Sequence, residues 1–98
     1  MTELRSTATV QTDRSERWIK QLCSHLGRRA EVREEADGAQ VLVIAGGSCR
    51  MSGDDAAVRL AATASDEEAL ARVEDVVGGH LERFAEAEGL VVQWEREA

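Results

Sequence analysis

Residues 30–45 read AEVREEADGAQVLVIA, and this run decides the fold class. Its halves flank Asp37-Gly38, a dipeptide that marks a two-residue hairpin turn because both residues tolerate the left-handed backbone such a turn needs. The first half alternates through Ala30, Val32 and Glu34, which predicts an edge or one-sided strand over 30–36. The second, over 39–45, is almost continuously apolar and predicts a central strand. Gly46-Gly47 signals another turn, after which Cys49 and Met51 alternate as a short third strand. Ser52-Gly53-Asp54-Asp55 turns again, and Val58, Leu60, Ala62 and Ala64 alternate as a fourth.

The flanking segments supply what this meander packs against. Ala8 and Val10 alternate with Thr7, Thr9 and Gln11, predicting a half-buried strand over 4–12. Asp13 with Glu16 three residues later reads as a capping box opening a helix over 14–29. Trp18, Ile19, Leu22 and Leu26 make its apolar stripe, and Arg28-Arg29 suit the negative end of its dipole. Ser65 with Glu68 reads as a second capping box, and Leu70, Val73, Val77, Leu81 and Phe84 share one face of the helix it opens. Gly89 is a left-handed terminator with Leu90 placed for a Schellman contact. Leu90, Val92 and Trp94 then alternate as a closing strand. The order β-α-β-β-β-β-α-β predicts an α+β fold, a two-layer sandwich of a mainly antiparallel sheet with both helices on one face.

Ninety-eight residues suffice for one core, and without proline, linker or repeat the expectation is a single domain over 1–98. Hydrophobic residues at 43% and charged residues at 32% describe a globular chain, with only three aromatics to fill the core. A formal charge of −7 argues against nucleic acid, since the eleven arginines and Lys20 are dispersed among carboxylates and form no basic stripe. The longest apolar run, residues 41–45, is too short to cross a bilayer, and no secretory signal opens the chain. A cytoplasmic protein is expected, with Cys23 and Cys49 as free thiols rather than a disulfide.

Cys23, His25, Cys49 and His80 are the residues with ligand or catalytic chemistry, and each is a weak candidate for metal. Cys23 and His25 stand two apart on a helix, about 200° around its axis, and therefore cannot share an ion. They flank opposite margins of the apolar stripe. Burial as a small core residue is the default for either cysteine. His80 falls within about 40° of the centre of its helix's apolar face, so it is either a hydrogen-bonded core histidine or faces a ligand cavity. Gly78-Gly79 beside it costs roughly 1 kcal/mol per glycine in mid-helix, which implies a bend or a close approach by another element. With the helices side by side, His25 and His80 border one groove, near Gln21 and Arg83, while Glu82 points away. Two imidazoles and an arginine suit a carboxylate, a porphyrin edge or a metal ion; the competing reading has Gln21, His25 and Arg83 tying helices together or facing solvent. No phosphate loop or nucleophile elbow is present, and nothing local supports a Cys–His enzyme, so a non-enzyme is expected.

Residues 12–27, TDRSERWIKQLCSHLG, resemble the opening helix of the bacterial domain-of-unknown-function family 2218. Gly47-Ser48-Cys49-Arg50-Met51 resembles its mid-chain Gly-x-Cys segment, and residues 80–85, HLERFA, with residues 90–94, LVVQW, resemble its closing helix and strand. Ser15 stands where members often carry proline. The resemblance spans nearly the whole chain and adds weight to Lys20, Gln21, Cys23, His25, His80 and Arg83 as a set. Members' association with siderophore-interacting flavin reductases implies iron, haem or iron-chelate handling, with a flavin reductase or iron-uptake partner. The expectation is thus an accessory binding module using the groove between the helices, with haem or iron as its cofactor. The alternative is a structural or interaction domain acting through its sheet face or edge, as a homodimer or with another partner.

Overall fold

The computed structural model describes residues 3–44 and 46–97. The chain runs β1 (Leu4–Gln11), α1 (Ser15–Leu26), β2 (Glu31–Glu34), β3 (Gln40–Ile44), β4 (Gly47–Gly53), β5 (Ala57–Ala64), α2 (Glu67–Phe84), a 3-10 turn (Glu86–Glu88) and β6 (Glu95–Arg96). The six strands form one antiparallel sheet in the spatial order β2-β3-β4-β5-β1-β6. This is the α+β architecture that the sequence periodicity predicts.

Register explains why both helices lie on one face. Ser6 pairs with Ala62, Ala8 with Leu60 and Val10 with Val58, while Cys49 stands between Ala62 and Leu42, and Met51 opposite Leu60. Residues opposite one another share a face, and all of these are buried. The stripe of α1 (Trp18, Leu22, Leu26) lies over β3, β4 and β5, and that of α2 (Leu70, Val73, Val77, Leu81) over β1, β4 and β5. The opposite face carries Arg5, Thr7, Thr9 and Arg59 exposed, with Ser48, Arg50, Ala61 and Thr63 half-buried.

Several local expectations give way. The hairpin between β2 and β3 has a three-residue loop, because Glu35 N–H donates to Ala39 and Gly38 N–H donates back to Glu35, with Gly38 at φ +91°. That is a turn followed by a left-handed bulge residue, not a two-residue turn. β3 is not covered on both faces: Val41 is half-buried and Val43 is 37% exposed on the open side. Ala45, the expected end of this strand, lies outside the described residues.

Helix ends shift too. α1 has Arg14 at its N-cap and no side-chain cap, so the Asp13–Glu16 box is not made; Thr12 Oγ1 instead accepts from Arg14 N–H (3.1 Å) and from the Trp18 indole (3.3 Å). It stops at Leu26 rather than Arg29, where Gly27 N–H donates to Cys23. α2 is capped by Asp66, whose Oδ1 accepts from Ala69 N–H at 2.7 Å, one residue beyond the Ser65 expected. Gly89 is left-handed at φ +69°, but it closes the 3-10 turn, not α2 itself.

The closing segment is a strap more than a strand. Only Glu95 and Arg96 join the ladder, opposite Thr7 and Ser6, because residues 90–94 pair with α2 instead of β1. Val92 N–H donates to Glu82 Oε2 (2.8 Å), Trp94 lies over Gly78, and Arg96 forks onto both oxygens of Glu74 (2.9 and 3.3 Å). Two extended residues advance about 6.6 Å. Four helical residues rise about 6 Å, so the strap stays in step with successive turns of α2. Gly78 is what permits this contact: a Cβ there would stand 2.9 Å from the Trp94 indole nitrogen and 3.4 Å from Val92. Of the two expectations for the glycine pair, close approach is the one realised.

Candidate functional site

The seam between α1 and α2 gathers the chain's two histidines. His25 lies in the last turn of α1, on the margin of the stripe that faces α2, and His80 lies one turn before Phe84. Their ring centres are 5.1 Å apart, with the planes inclined at 46°. Phe84 lies edge-on to both, at 5.4 Å from His25 and 6.1 Å from His80. Packing of Leu22 and Leu26 beside Val77 and Leu81 in one core brings these helix margins together.

The two rings are held differently. His80 is half-buried, not a core residue, and its Nδ1 donates to the Val76 carbonyl one turn back at 2.6 Å. A carbonyl oxygen can only accept, so Nδ1 carries a proton, and in the neutral ring the lone pair lies on Nε2. His25 is exposed, and no hydrogen bond to its ring is found among the described residues. Gln21 is half-buried one turn before His25, and Arg83 is exposed three residues after His80, spacings that place each on its histidine's side of the helix. Glu82 is committed to the strap through Val92.

The cysteines lie elsewhere. Cys49 is fully buried on the inner sheet face, and burial pushes its thiol up to about 12, against a smaller opposing effect of the Ala61 backbone. It is a core residue with no access to an ion. Cys23 is half-buried, and burial raises its thiol as well. Neither has the depressed pKa of a nucleophile. No group of three His, Cys, Asp or Glu side chains is placed to hold a metal ion among the described residues.

Cys23 opens instead, with Ile19 and Lys20, onto a cleft of about 790 Å³ bounded by α1, the β2–β3 hairpin and the β4–β5 turn, with Glu16, Glu34 and Asp55 among its acidic walls. The set weighted by the family resemblance therefore divides. Lys20 and Cys23 face this cleft, and His25 and His80 meet at the seam. Sequence periodicity carries no sign of the cleft, because its walls come from three segments far apart in the chain. Phe84, read only as a core position, becomes the third ring of the seam; its i,i+4 relation to His80 was the available signal.

Comparison with known proteins agrees on the fold. The family model described as "Uncharacterized protein conserved in bacteria (DUF2218)" matches residues 7–95. The NMR structure of PA4090 from Pseudomonas aeruginosa is similar at a TM-score of 0.76 and 30% identity, covering 94% of this chain and 95% of that one. No curated protein matches the chain.

Proposed function

The chain belongs to the DUF2218 family of bacterial proteins, and we propose that it is a binding module whose ligand docks on the α1–α2 seam. The observation that carries this reading is the approach of His25 and His80 to 5.1 Å from two different helices. A lone half-buried histidine is adequately explained by its own hydrogen bond. Two imidazoles brought together at the surface beside an aromatic edge form a recognition surface. Gln21 and Arg83 are the flanking groups that would orient a ligand.

Iron, as the ion, in haem or in a chelate, is the ligand implied by the association of the family with siderophore-interacting flavin reductases, and such a reductase is the partner implied. The open sheet face favours the seam over docking through the sheet, because its side chains are mainly hydroxyls and arginines, with Val41 and Val43 on β3 and the small Ala61 on β5 as apolar members. Titrating the full chain with haemin, Fe(II) and Zn(II), while following absorbance and melting temperature, tests the reading. Binding that is weakened in both His25→Ala and His80→Gln is expected. No spectral change and no shift in melting temperature with any probe would overturn it.

A further inference from the structure

We infer that His25 and His80 are cis ligands to a single divalent transition-metal ion, with its remaining positions open to water or to a second ligand. This inference rests on the reading of the seam as a binding site and specifies its chemistry. Imidazole nitrogens bind such ions at about 2.1 Å, which puts each ring centre about 3.2 Å from the metal. Two rings on one ion then have centres roughly 4.5 Å apart at a right angle, about 5.2 Å at the tetrahedral angle and about 6.4 Å when opposite. The observed 5.1 Å falls in the cis range, close to the tetrahedral value.

Two further features fit. His80 already makes the bond that a ligating histidine characteristically makes through its other nitrogen, Nδ1–H to a backbone carbonyl, leaving Nε2 for the metal. His25 is exposed, so its ring can turn a nitrogen toward the ion without disturbing the core. The observed spacing is shorter than the roughly 6.4 Å that a haem clamped between two opposite rings needs. Neutral nitrogen ligands suit copper, nickel, zinc and ferrous iron, and two of them leave an accessible, exchangeable site, unlike a closed structural one.

The test uses the full chain and the chloride salts of Cu(II), Ni(II) and Zn(II) in a non-chelating buffer. Expected are 1:1 saturation, tightest for Cu(II), and coupling to two nitrogens in the Cu(II) electron paramagnetic resonance spectrum. Zn(II) should shift the His25 and His80 ring resonances together. His25→Ala and His80→Gln should each weaken binding by about tenfold or more, and Cys23→Ser should leave it unchanged. His25 is exposed, so its variant folds whatever His80→Gln does. Absence of saturable binding, or full binding in His25→Ala, overturns the inference. Haemin binding at the seam without any binding of the free ions also overturns it, yet leaves the binding-module reading standing. Failure of every probe removes both.

Discussion

α1 and α2 cover the same face of the same sheet, yet they are fastened by different means. α2 begins at its own cap, Asp66, with Glu67 and Glu68 on the positive end of its dipole, and the C-terminal strap is hydrogen-bonded to it at Glu74 and Glu82 and packed against it at Gly78. α1 has no side-chain cap. Its start is held from outside, by Ser15 donating to the Asp54 carbonyl and by Gly53, whose missing Cβ leaves room for Ser15. One helix carries its instructions locally, and the other borrows them from the β4–β5 turn. The seam joins the two, with a ring hydrogen-bonded to its own helix on one side and an exposed ring packed against it on the other.

The sharpest way to break this contrast is to cut equal amounts from each helix. Leu81 is fully buried, and Leu81→Ala should cost about 3 kcal/mol by denaturant melts. Ile19 is only half-buried beside the cleft, and Ile19→Ala should cost about 1 kcal/mol in the same measurement. Similar losses from the two would mean that α1 is as firmly seated as α2.

The adjacent glycines should respond with opposite signs. Gly79 faces open space, so Gly79→Ala should stabilise by up to about 1 kcal/mol through helix propensity. Gly78→Ala should destabilise by about 1 kcal/mol, because displacing Trp94 outweighs the same propensity gain. A shift in Trp fluorescence in Gly78→Ala alone would locate the cause in the strap.

The caps differ by less. Asp66→Ala removes the acceptor for Ala69 N–H and should cost about 1 kcal/mol by thermal melts, whereas Asp13→Ala should change stability by under about 0.3 kcal/mol. An equal cost at Asp13 would restore the capping box that the structure lacks.

Smallest is the pH effect. Burial pushes the Glu74 carboxyl up, but the forked hydrogen bonds and the charge of Arg96, with a smaller contribution from the nearby Ser6 hydroxyl, outweigh it, holding the group below its ordinary 4.5. A depressed folded pKa means that the unfolded chain takes up the proton first. The contribution is therefore present above about pH 4.5 and fades as pH falls through the folded value. Glu74→Gln should lower stability by under about 1 kcal/mol near neutral pH, with the difference from the parent chain closing under acid. Melting temperatures measured across that range check it; a gap that widens in acid would show the sign to be wrong.

Legibility in the sequence followed the range of the physics involved. The first five strands and both helices could be placed, because alternation in Val58-Leu60-Ala62-Ala64 and the stripe from Leu70 to Phe84 are written within the segments themselves. Cap and turn details failed by one residue, at Asp13, Ser65 and Asp37-Gly38. Neighbouring polar groups there compete for the same N–H, and the winner depends on where the flanking element is held. The strand expected over 90–94 failed for a different reason. Its alternating Leu90, Val92 and Trp94 bury against α2, and alternation reports which side is covered without saying what covers it.

By itself the sequence determined the order of elements, the helices' apolar faces, and the divergence of Cys23 and His25 to opposite margins of α1, since these follow from backbone periodicity. Only tertiary structure decided that β1 lies between β5 and β6, that Gly78 seats Trp94, and that Cys23 meets a cleft while His25 meets His80 at 5.1 Å. Those facts depend on how far two helices stand apart on a shared sheet. The core on which both helices rest is built from residues such as Ala8, Cys49 and Ala62, contributed by strands far apart in the chain.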